Sequence, residues 1–219
     1  LPPVSYGYVH HVMDFPGSLN IHHEHFVQYV LDITKSLAYH GFKKMIIVNG
    51  HGSNHNLVDM VSRRTIVETD ASCAYCSWWQ MLQVDPEFMK GWRESVFPGG
   101  CAHAGELETS MLLYLSPESV RKDKIKSEIA RTNKLGSKYM WTDLFSSGPM
   151  NIVEWTSQYS KSGVMGEAEK ATAEKGRLAF EEASKKLAGF VEEYHALEVK
   201  EREGKQDPPP TFPLSYPTA

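Results

Sequence analysis

The sequence has 219 residues, 41% of them hydrophobic and 23% charged, which is typical of a globular protein and excludes disordered and collagen-like classes. No apolar run approaches the length of a membrane-spanning helix, so we expect no membrane partner. The 23 Lys and Arg residues against 27 Asp and Glu residues give a net charge of −4. This charge argues against nucleic acid, whose binding proteins carry a basic patch. We therefore predict one domain over residues 1–219 that acts on a small molecule.

The cysteines point to a reducing compartment. Cys73, Cys76 and Cys101 cannot all pair with one another, and no signal peptide opens the sequence. We expect a cytoplasmic protein with buried thiols, since free cysteine is among the most buried residue types. The C-x-x-C spacing of Cys73 and Cys76 leaves a redox or zinc role as the alternative, although neither a second pair nor a helix start accompanies it.

The first half of the chain alternates helix and strand patterns. Apolar residues at intervals of three and four predict an amphipathic helix from Ile21 to His40. The Ile- and Val-rich run from Lys43 to Asn49 predicts a strand buried on both faces. Asn54 is the expected N-cap of a helix from His55 to Glu68, and Ala71 to Trp79 reads as the next strand. This rhythm predicts an α/β fold with a mainly parallel sheet.

The second half is less regular. Gln80 to Val96 is predicted as a helical or irregular insertion, and helical periodicity runs from Ala104 to Leu115. We expect a strand from Asn151 to Tyr159 and a long helix from Glu167 to about Lys200. The segment 204–219, with its three consecutive prolines, is predicted to be an extended tail.

Two clusters could carry chemistry. In IIVNGHGSNHN the strand ends at His51 between two glycines, a pattern that predicts a sharp turn presenting the imidazole, because glycine takes positive φ cheaply. In CAHAGELETS, a helix would place His103 and Glu106 three residues apart, with Glu108 one turn beyond Ala104. Zinc and manganese accept this mixture of imidazole and carboxylate. The alternative is a hydrogen-bonded structural histidine and acidic residues that complement a helix dipole.

Four blocks in this order resemble the creatininase family of metal-dependent amidohydrolases. They are FPGSL from Phe15, VNGHGSN from Val48, HAGELETS from His103 and GVMGEAEKATAEKG from Gly163, and together they extend over most of the chain. The resemblance implies a three-layer α/β/α fold, two divalent metals of the Zn, Mn or Fe type, and a homohexamer. It also implies hydrolysis of a small cyclic or formylated amide, with a metal-bound water as nucleophile.

The resemblance assigns roles to individual residues. His51 matches a metal-binding histidine, and His103 matches the proton shuttle, which makes it the candidate catalytic residue. Creatinine hydrolases have a glutamate ligand where this chain has Ser53, so Glu108 or Glu106 is the candidate replacement and creatinine itself is a less favoured substrate. The candidate substrate-binding residues are Ser53, Trp78, Trp79, Trp155 and Tyr8. For the three tryptophans the alternative is a place in the hydrophobic core.

The resemblance also predicts ligands that this sequence lacks. A Glu-x-His motif and a bridging Asp precede the FPG block in the family, and nothing between Leu1 and Phe15 supplies them. We expect that a natural amino-terminal segment is absent here, and the alternative is a relative that cannot hold two metals. Other readings are a hydrolase that opens an oxidised inositol ring and a non-catalytic assembly scaffold. A dinucleotide-binding enzyme is excluded, since no G-x-G-x-x-G follows an early strand.

Overall fold

The computed structural model describes residues 1–200, 203–205 and 207, and these residues form an α/β protein. The helices and strands are α1 (His23–Tyr39), β1 (Lys44–Asn49), α2 (His55–Glu68), β2 (Ser72–Ser77), α3 (Pro86–Trp92), β3 (Cys101–His103), α4 (Glu106–Leu115), α5 (Arg131–Lys134), α6 (Thr156–Tyr159), β4 (Met165–Gly166) and α7 (Ala173–Ala196). The chain forms two compact units. Unit 1 comprises Leu1–Tyr8, Ile21–Ser77 and the described residues from Gly189 onward, and unit 2 comprises Val9–Asn20 and Trp78–Ala188.

Unit 1 is built on a parallel pair of strands. β1 and β2 are in register from Lys44 opposite Ser72 to Asn49 opposite Ser77. Helices α1 and α2 cover one face of this pair, because their apolar stripes need a partner surface. The residues that pack there are Phe26, Val30, Leu31, Val58 and Val61, with Ile47 and Tyr75 from the strands.

The last turns of α7 cover the opposite face of the strand pair. The Lys44 ammonium donates to the carbonyl oxygens of His195, at 2.6 Å, and of Leu197. The hydroxyls of Ser72 and Tyr194 lie 2.6 Å apart. Because alternate strand residues face opposite sides, these contacts lie on the face away from α1 and α2. Unit 1 therefore has the helix, sheet, helix layering that we predicted.

Unit 2 has its own core. Its buried residues are Trp79, Leu82, Trp92, Cys101, Leu107, Ala179 and Ala183. The two indole N–H groups are satisfied inside it, Trp79 donating to the Leu144 carbonyl and Trp92 to the Lys175 carbonyl, both at 2.9 Å. β3 and β4 pair antiparallel, with Cys101 opposite Gly166 and His103 opposite Met165.

Close packing of α7 on α4 gives the first testable prediction. A Cβ on Gly176 would lie 2.0 Å from the carbonyl oxygen of Ser110, whereas a Cβ on Gly189 would meet nothing within 4 Å. We expect Gly176→Ala to lower the free energy of unfolding by about 1–3 kcal/mol or more, the usual cost of overpacking. Gly189→Ala is the matched control on the same helix and should raise it by about 0.5–1 kcal/mol, because alanine is the better helix former. Urea unfolding measures both, and equal effects would contradict the close approach.

Most predicted elements of the first half are confirmed within two residues, whereas the second half departs more from prediction. The long helix expected from Glu167 to about Lys200 begins only at Ala173 and ends at Ala196. The expected strand from Asn151 to Tyr159 is absent: residues 151–155 are irregular and α6 begins at Thr156. Ile152 and Val153 are 47% and 91% exposed, so no neighbouring strand buries the apolar run. Most of the expected tail over residues 204–219 lies outside the described residues.

Two further expectations concern the thiols and the membrane. All three cysteines are free. Cys76 and Cys101 are buried in β2 and β3, as predicted, whereas Cys73 of β2 is only partly buried. Burial is the main reason that the pKa of the Cys101 thiol is raised to about 11. Within the part of the chain that the structure describes, no helix combines the length and apolarity that crossing a bilayer requires.

Candidate active site

His51 of unit 1 follows the carboxyl end of β1 in extended backbone, with φ −144° and ψ 133°. The side chain of Asn49, which is 4% exposed, holds this residue in place from two sides. Its amide nitrogen donates to the His51 carbonyl at 2.7 Å, and its amide oxygen accepts from the His51 N–H at 3.2 Å. The Nδ1 atom of His51 is shielded from solvent. The backbone that carries the imidazole is thus fixed on both sides of its Cα.

A buried network of polar side chains extends from Asn49 to α2. The Asn49 amide nitrogen also donates to the Ser77 hydroxyl at 2.9 Å, and that hydroxyl lies 2.9 Å from Nδ1 of His55. Ser77 is fully buried, so each of these bonds is made in a low-dielectric interior. The sequence analysis did not identify this network. The available signal was a polar residue at the end of each of two adjacent apolar strands.

We expected Gly50 and Gly52 to take positive φ on either side of His51, and this expectation is wrong. Neither Gly50 nor Gly52 has positive φ, and nothing lies within 4 Å of a Cβ built on either. The chain turns instead through a 3₁₀ turn at Gly52–Asn54, which most residues can adopt. The glycines therefore leave open space beside His51 rather than permit a special backbone conformation.

Tyr8 and Ser53 lie in the same unit as His51. The N–H of Tyr8 donates to the side-chain oxygen of Asn54 at 2.9 Å, and Ser53 is half-buried in the 3₁₀ turn. Asn54 is the N-cap of α2 by position, but its side chain makes no capping bond. An open groove of about 550 Å³ between the first residues and α1 contains none of the predicted site residues.

In unit 2 the structure brings His103 and Glu108 together by a route other than the predicted one. His103 ends β3 rather than starting a helix, so the expected spacing of three residues to Glu106 on one helix is wrong. Ala104 has φ 48°, in the left-handed region that costs a non-glycine residue energy. Its N–H donates to Oε2 of Glu108 at 2.5 Å, and the same oxygen lies 3.9 Å from Nδ1 of His103. The strained turn thus aims the imidazole at the carboxylate.

The two candidate carboxylates differ in availability. Glu106 is fully buried, and its oxygens accept from the N–H groups of Glu94 and Ser95 at 3.0 and 2.9 Å and from the ammonium of Lys175. The side chain of Glu108 is 30% exposed, and its Oε1 makes no hydrogen bond with the described residues. This geometry favours Glu108 over Glu106 as a ligand and gives Glu106 a structural role at the start of α4.

The buried Glu106 carboxylate gives a prediction about acid stability. Burial alone raises its pKa, but the bonds from Lys175, Ser95 and the Glu94 N–H outweigh burial and hold the pKa below its usual range. Its stabilising contribution is therefore full above the unfolded pKa of about 4.3 and is lost as pH falls through the lower folded value. Glu106→Gln should lower the free energy of unfolding by about 2–4 kcal/mol at pH 7, since the new NH₂ faces donors. Urea unfolding at pH 7 and in acid measures this.

Glu181→Gln is the matched control for that substitution. Glu181 pairs with Arg177 on the surface of α7, with a side chain that is 55% exposed, so its loss should cost less than about 1 kcal/mol. The difference between Glu106→Gln and wild type should shrink as the pH is lowered. A difference that is constant with pH would contradict the ionised carboxylate.

Other predicted substrate-binding residues of unit 2 have different environments. Trp79 is 5% exposed in the core, and Trp78 packs against that core, which favours the core alternative for both. Trp155 is 42% exposed, and its ring centroid lies 5.5 Å from that of His10. His11 is half-buried, and its pKa is lowered by burial first and then by the neighbouring His103 and His10. A group of three imidazoles was not predicted, although HH shortly before FPG was a visible signal.

The donor chemistry of the candidate residues suits a divalent metal, because zinc and manganese bind both imidazole and carboxylate. Among residues 1–200, 203–205 and 207, however, no three His, Cys, Asp or Glu side chains form a group that could hold a metal ion. The described residues therefore provide single candidate ligands, His51 in unit 1 and Glu108 in unit 2, rather than a complete set.

A family model described as creatininase, creatinine amidohydrolase, matches residues 1–191 of this chain. The chain belongs to the creatininase family. A solved creatinine amidohydrolase has the same fold, with a TM-score of 0.69 and 22% identity over 90% of this chain and 75% of that one. A second structure, named creatininase Mn, also has a TM-score of 0.69, with 23% identity over 90% and 76% of the two chains. The predicted creatininase-like α/β fold is confirmed.

Curated relatives of this family member have several activities in their names. A mycofactocin precursor peptide peptidase of Mycobacterium ulcerans is 30% identical over 83% of this chain, and a 3-dehydro-scyllo-inosose hydrolase of Thermotoga maritima is 26% identical over 82%. The chain spans 60% of the length of each. A creatinine amidohydrolase of Pseudomonas putida is 25% identical over 88% of this chain and 74% of its own length.

Proposed function

We propose that this protein is a metal-dependent hydrolase of a small cyclic or formylated amide. The observation that carries the proposal is the 3.9 Å approach of His103 Nδ1 to Glu108 Oε2 beside the strained Ala104, in a chain that belongs to the creatininase family. Creatinine amidohydrolase and peptide peptidase, two of the names among the relatives, both describe cleavage of an amide bond. Amide hydrolysis is therefore the reaction class that the relatives favour.

His103 is the proposed general acid. An imidazole that protonates the leaving nitrogen must be oriented and must stabilise positive charge while it holds the proton, and a nearby carboxylate serves both needs. Glu108 lies within reach of Nδ1, so Nε2 is the nitrogen that faces substrate in this proposal. Trp155, which remains partly exposed, is the proposed wall for a flat substrate.

His51 and Glu108 are the proposed metal ligands from this sequence. When bound, a divalent metal supplies an activated water and polarises the amide carbonyl. The resemblance predicts two metals, and the further ligands that such a site needs are proposed to come from outside these 219 residues. Asn49 fixes the backbone from which His51 would reach the metal, because its side chain bonds both backbone polar groups of that residue. We also propose a cytoplasmic homo-oligomer.

The experiment for this proposal is a substrate panel. The purified full-length protein is incubated with creatinine, an N-formyl amine, a short peptide and an oxidised inositol, with and without a chelator, and products are identified by mass spectrometry. Gain of one water at an amide, lost with chelator, supports the proposal. Turnover of an oxidised inositol alone would favour the ring-opening alternative that the Thermotoga maritima relative suggests. No turnover and no bound metal would favour the assembly scaffold.

A further inference from the structure

Glu128 of unit 2 is held by an unusually complete set of donors. Its Oε2 accepts from the hydroxyls of Ser160 and Ser162 at 2.8 and 2.5 Å and from the Ser162 N–H at 3.1 Å. Its Oε1 accepts from the N–H of Lys161 at 2.9 Å. The Gly163 N–H then donates to the Ser160 hydroxyl at 3.0 Å, which closes the loop around the carboxylate. One side chain therefore organises four consecutive residues.

The main chain of Glu128 holds a second element. Its N–H donates to the Gly166 carbonyl at 2.9 Å, and its carbonyl accepts from the Gly166 N–H at 2.7 Å. Gly166 and Met165 form β4, in which Met165 lies opposite His103 of β3. The strand that ends in the proposed general acid is thus paired with a strand that Glu128 fixes.

The loop that Glu128 binds is connected to Trp155 through the short helix α6. Trp155 precedes α6, and Ser160 is the C-cap of that helix, its N–H donating to the Thr156 carbonyl at 3.0 Å. Fixing Ser160 therefore fixes the end of the short helix that presents the Trp155 indole. Glu128 connects, through its side chain and its main chain, to both proposed substrate-contacting residues of unit 2.

The chemistry of these contacts requires an ionised carboxylate. Burial raises the pKa of Glu128, but the bonds from Ser162, Lys161 and Ser160 outweigh burial and lower the pKa to about 2. An ionised carboxylate only accepts hydrogen bonds, which matches a loop that presents only donors. A glutamine at position 128 would direct its NH₂ group, which is itself a donor, toward the donors of the loop, and those hydrogen bonds would be lost.

We propose that Glu128 is a positioning residue, which holds His103 and Trp155 in place by binding the loop Ser160–Gly163 with its carboxylate and Gly166 with its main chain. The functional meaning of this position rests on the role proposed for His103, whereas the contacts stand independently of it. Loss of the carboxylate should loosen the loop and displace both rings, while the core of unit 2 remains folded.

The test compares Glu128→Gln and Ser162→Ala with a control, Glu118→Gln, whose carboxylate binds the hydroxyl of nearby Ser116. Two NMR signals are followed, the imidazole C2–H of His103 and the indole N–H of Trp155, assigned from H103A and W155F. Both should shift in Glu128→Gln, less in Ser162→Ala and not in the control. The rate of trypsin cleavage after the exposed Lys161 should be ~10-fold or more higher in Glu128→Gln than in the wild type, since the loop opens locally.

Unchanged His103 and Trp155 signals, together with faster cleavage after Lys161, would overturn the proposal and leave Glu128 as a local anchor. Unchanged cleavage and unchanged signals would overturn it as well. If Glu128→Gln fails to fold, the milder Ser162→Ala decides by the same two signals. No substrate is used, so failure here is distinguishable from failure of the proposed hydrolase activity, which the amide panel tests.

Discussion

Replacement of His51 by alanine should abolish amide hydrolysis and weaken metal binding together. His51 follows β1 in extended backbone that Asn49 holds by two hydrogen bonds, so alanine removes the imidazole and leaves the turn in place. Loss of a residue that only orients a metal ligand already costs about 10–100-fold in metal affinity, and loss of the ligand itself should cost more than ~100-fold. Metal titration by calorimetry and turnover of the amide substrate measure the two effects on the same sample.

His40→Ala is the matched control, since His40 is an exposed histidine of the same unit that follows α1. It should bind metal and turn over substrate like the wild type. Metal affinity unchanged in His51→Ala would show that this histidine is not a ligand. Lost metal with retained activity would contradict the metal-dependent reaction itself.

Replacement of His103 by alanine should leave the metal in place and lower kcat by ~10²-fold or more, which is the usual contribution of a general acid. The imidazole ends β3 and is oriented by Glu108 and by the strained Ala104, so its role depends on position as well as on its proton. KM should change little, because the proton is needed in the transition state rather than in substrate binding. Steady-state kinetics on wild type and variant, with metal content determined in parallel, measure this.

His195→Ala is the control for that substitution, because the side chain of His195 is exposed at the end of α7. It should have normal kcat. Normal kcat in His103→Ala would remove the proposed general acid. Loss of metal from His103→Ala would instead make this residue a ligand.

The α/β part of the fold was predictable because its signals are local. The helix predicted from His55 to Glu68 has those bounds, and β1 begins one residue later than predicted. Each element has strong apolar periodicity, and each buries its apolar residues against the next element along the chain. Local pattern and tertiary packing agree here, so short-range reasoning was sufficient.

The irregular part of unit 2 was not predictable in the same way. His103 was expected on a helix because HAGELETS has helical composition, yet the chain keeps β3 extended as far as His103 and turns at Ala104. What decides this is pairing with β4, more than sixty residues further along the chain. Tertiary pairing overrides local propensity in such segments.

The candidate site shows the same limit. Glu106 and Glu108 were equivalent candidates in the sequence, and only burial and hydrogen bonding distinguish them: Glu106 is enclosed with Lys175, whereas Glu108 faces His103. Glu128 was absent from the analysis because its partners, Ser160 to Ser162, lie more than thirty residues away in a stretch without periodicity. Hydrogen-bond partners at such separations leave no pattern in one sequence.

The central proposal is that this family member acts through bound divalent metal, and that His51 and Glu108 are each a metal ligand. The most direct measurement is the metal content of the full-length protein, determined by elemental mass spectrometry. It is repeated after chelation and after re-addition of Zn²⁺ or Mn²⁺, and amide hydrolysis is recorded at each step. The account predicts about two equivalents per chain in the wild type, activity lost and regained with the metal, and reduced content in His51→Ala and Glu108→Gln. Full activity in a metal-free sample, or unchanged metal content in both variants, would contradict it.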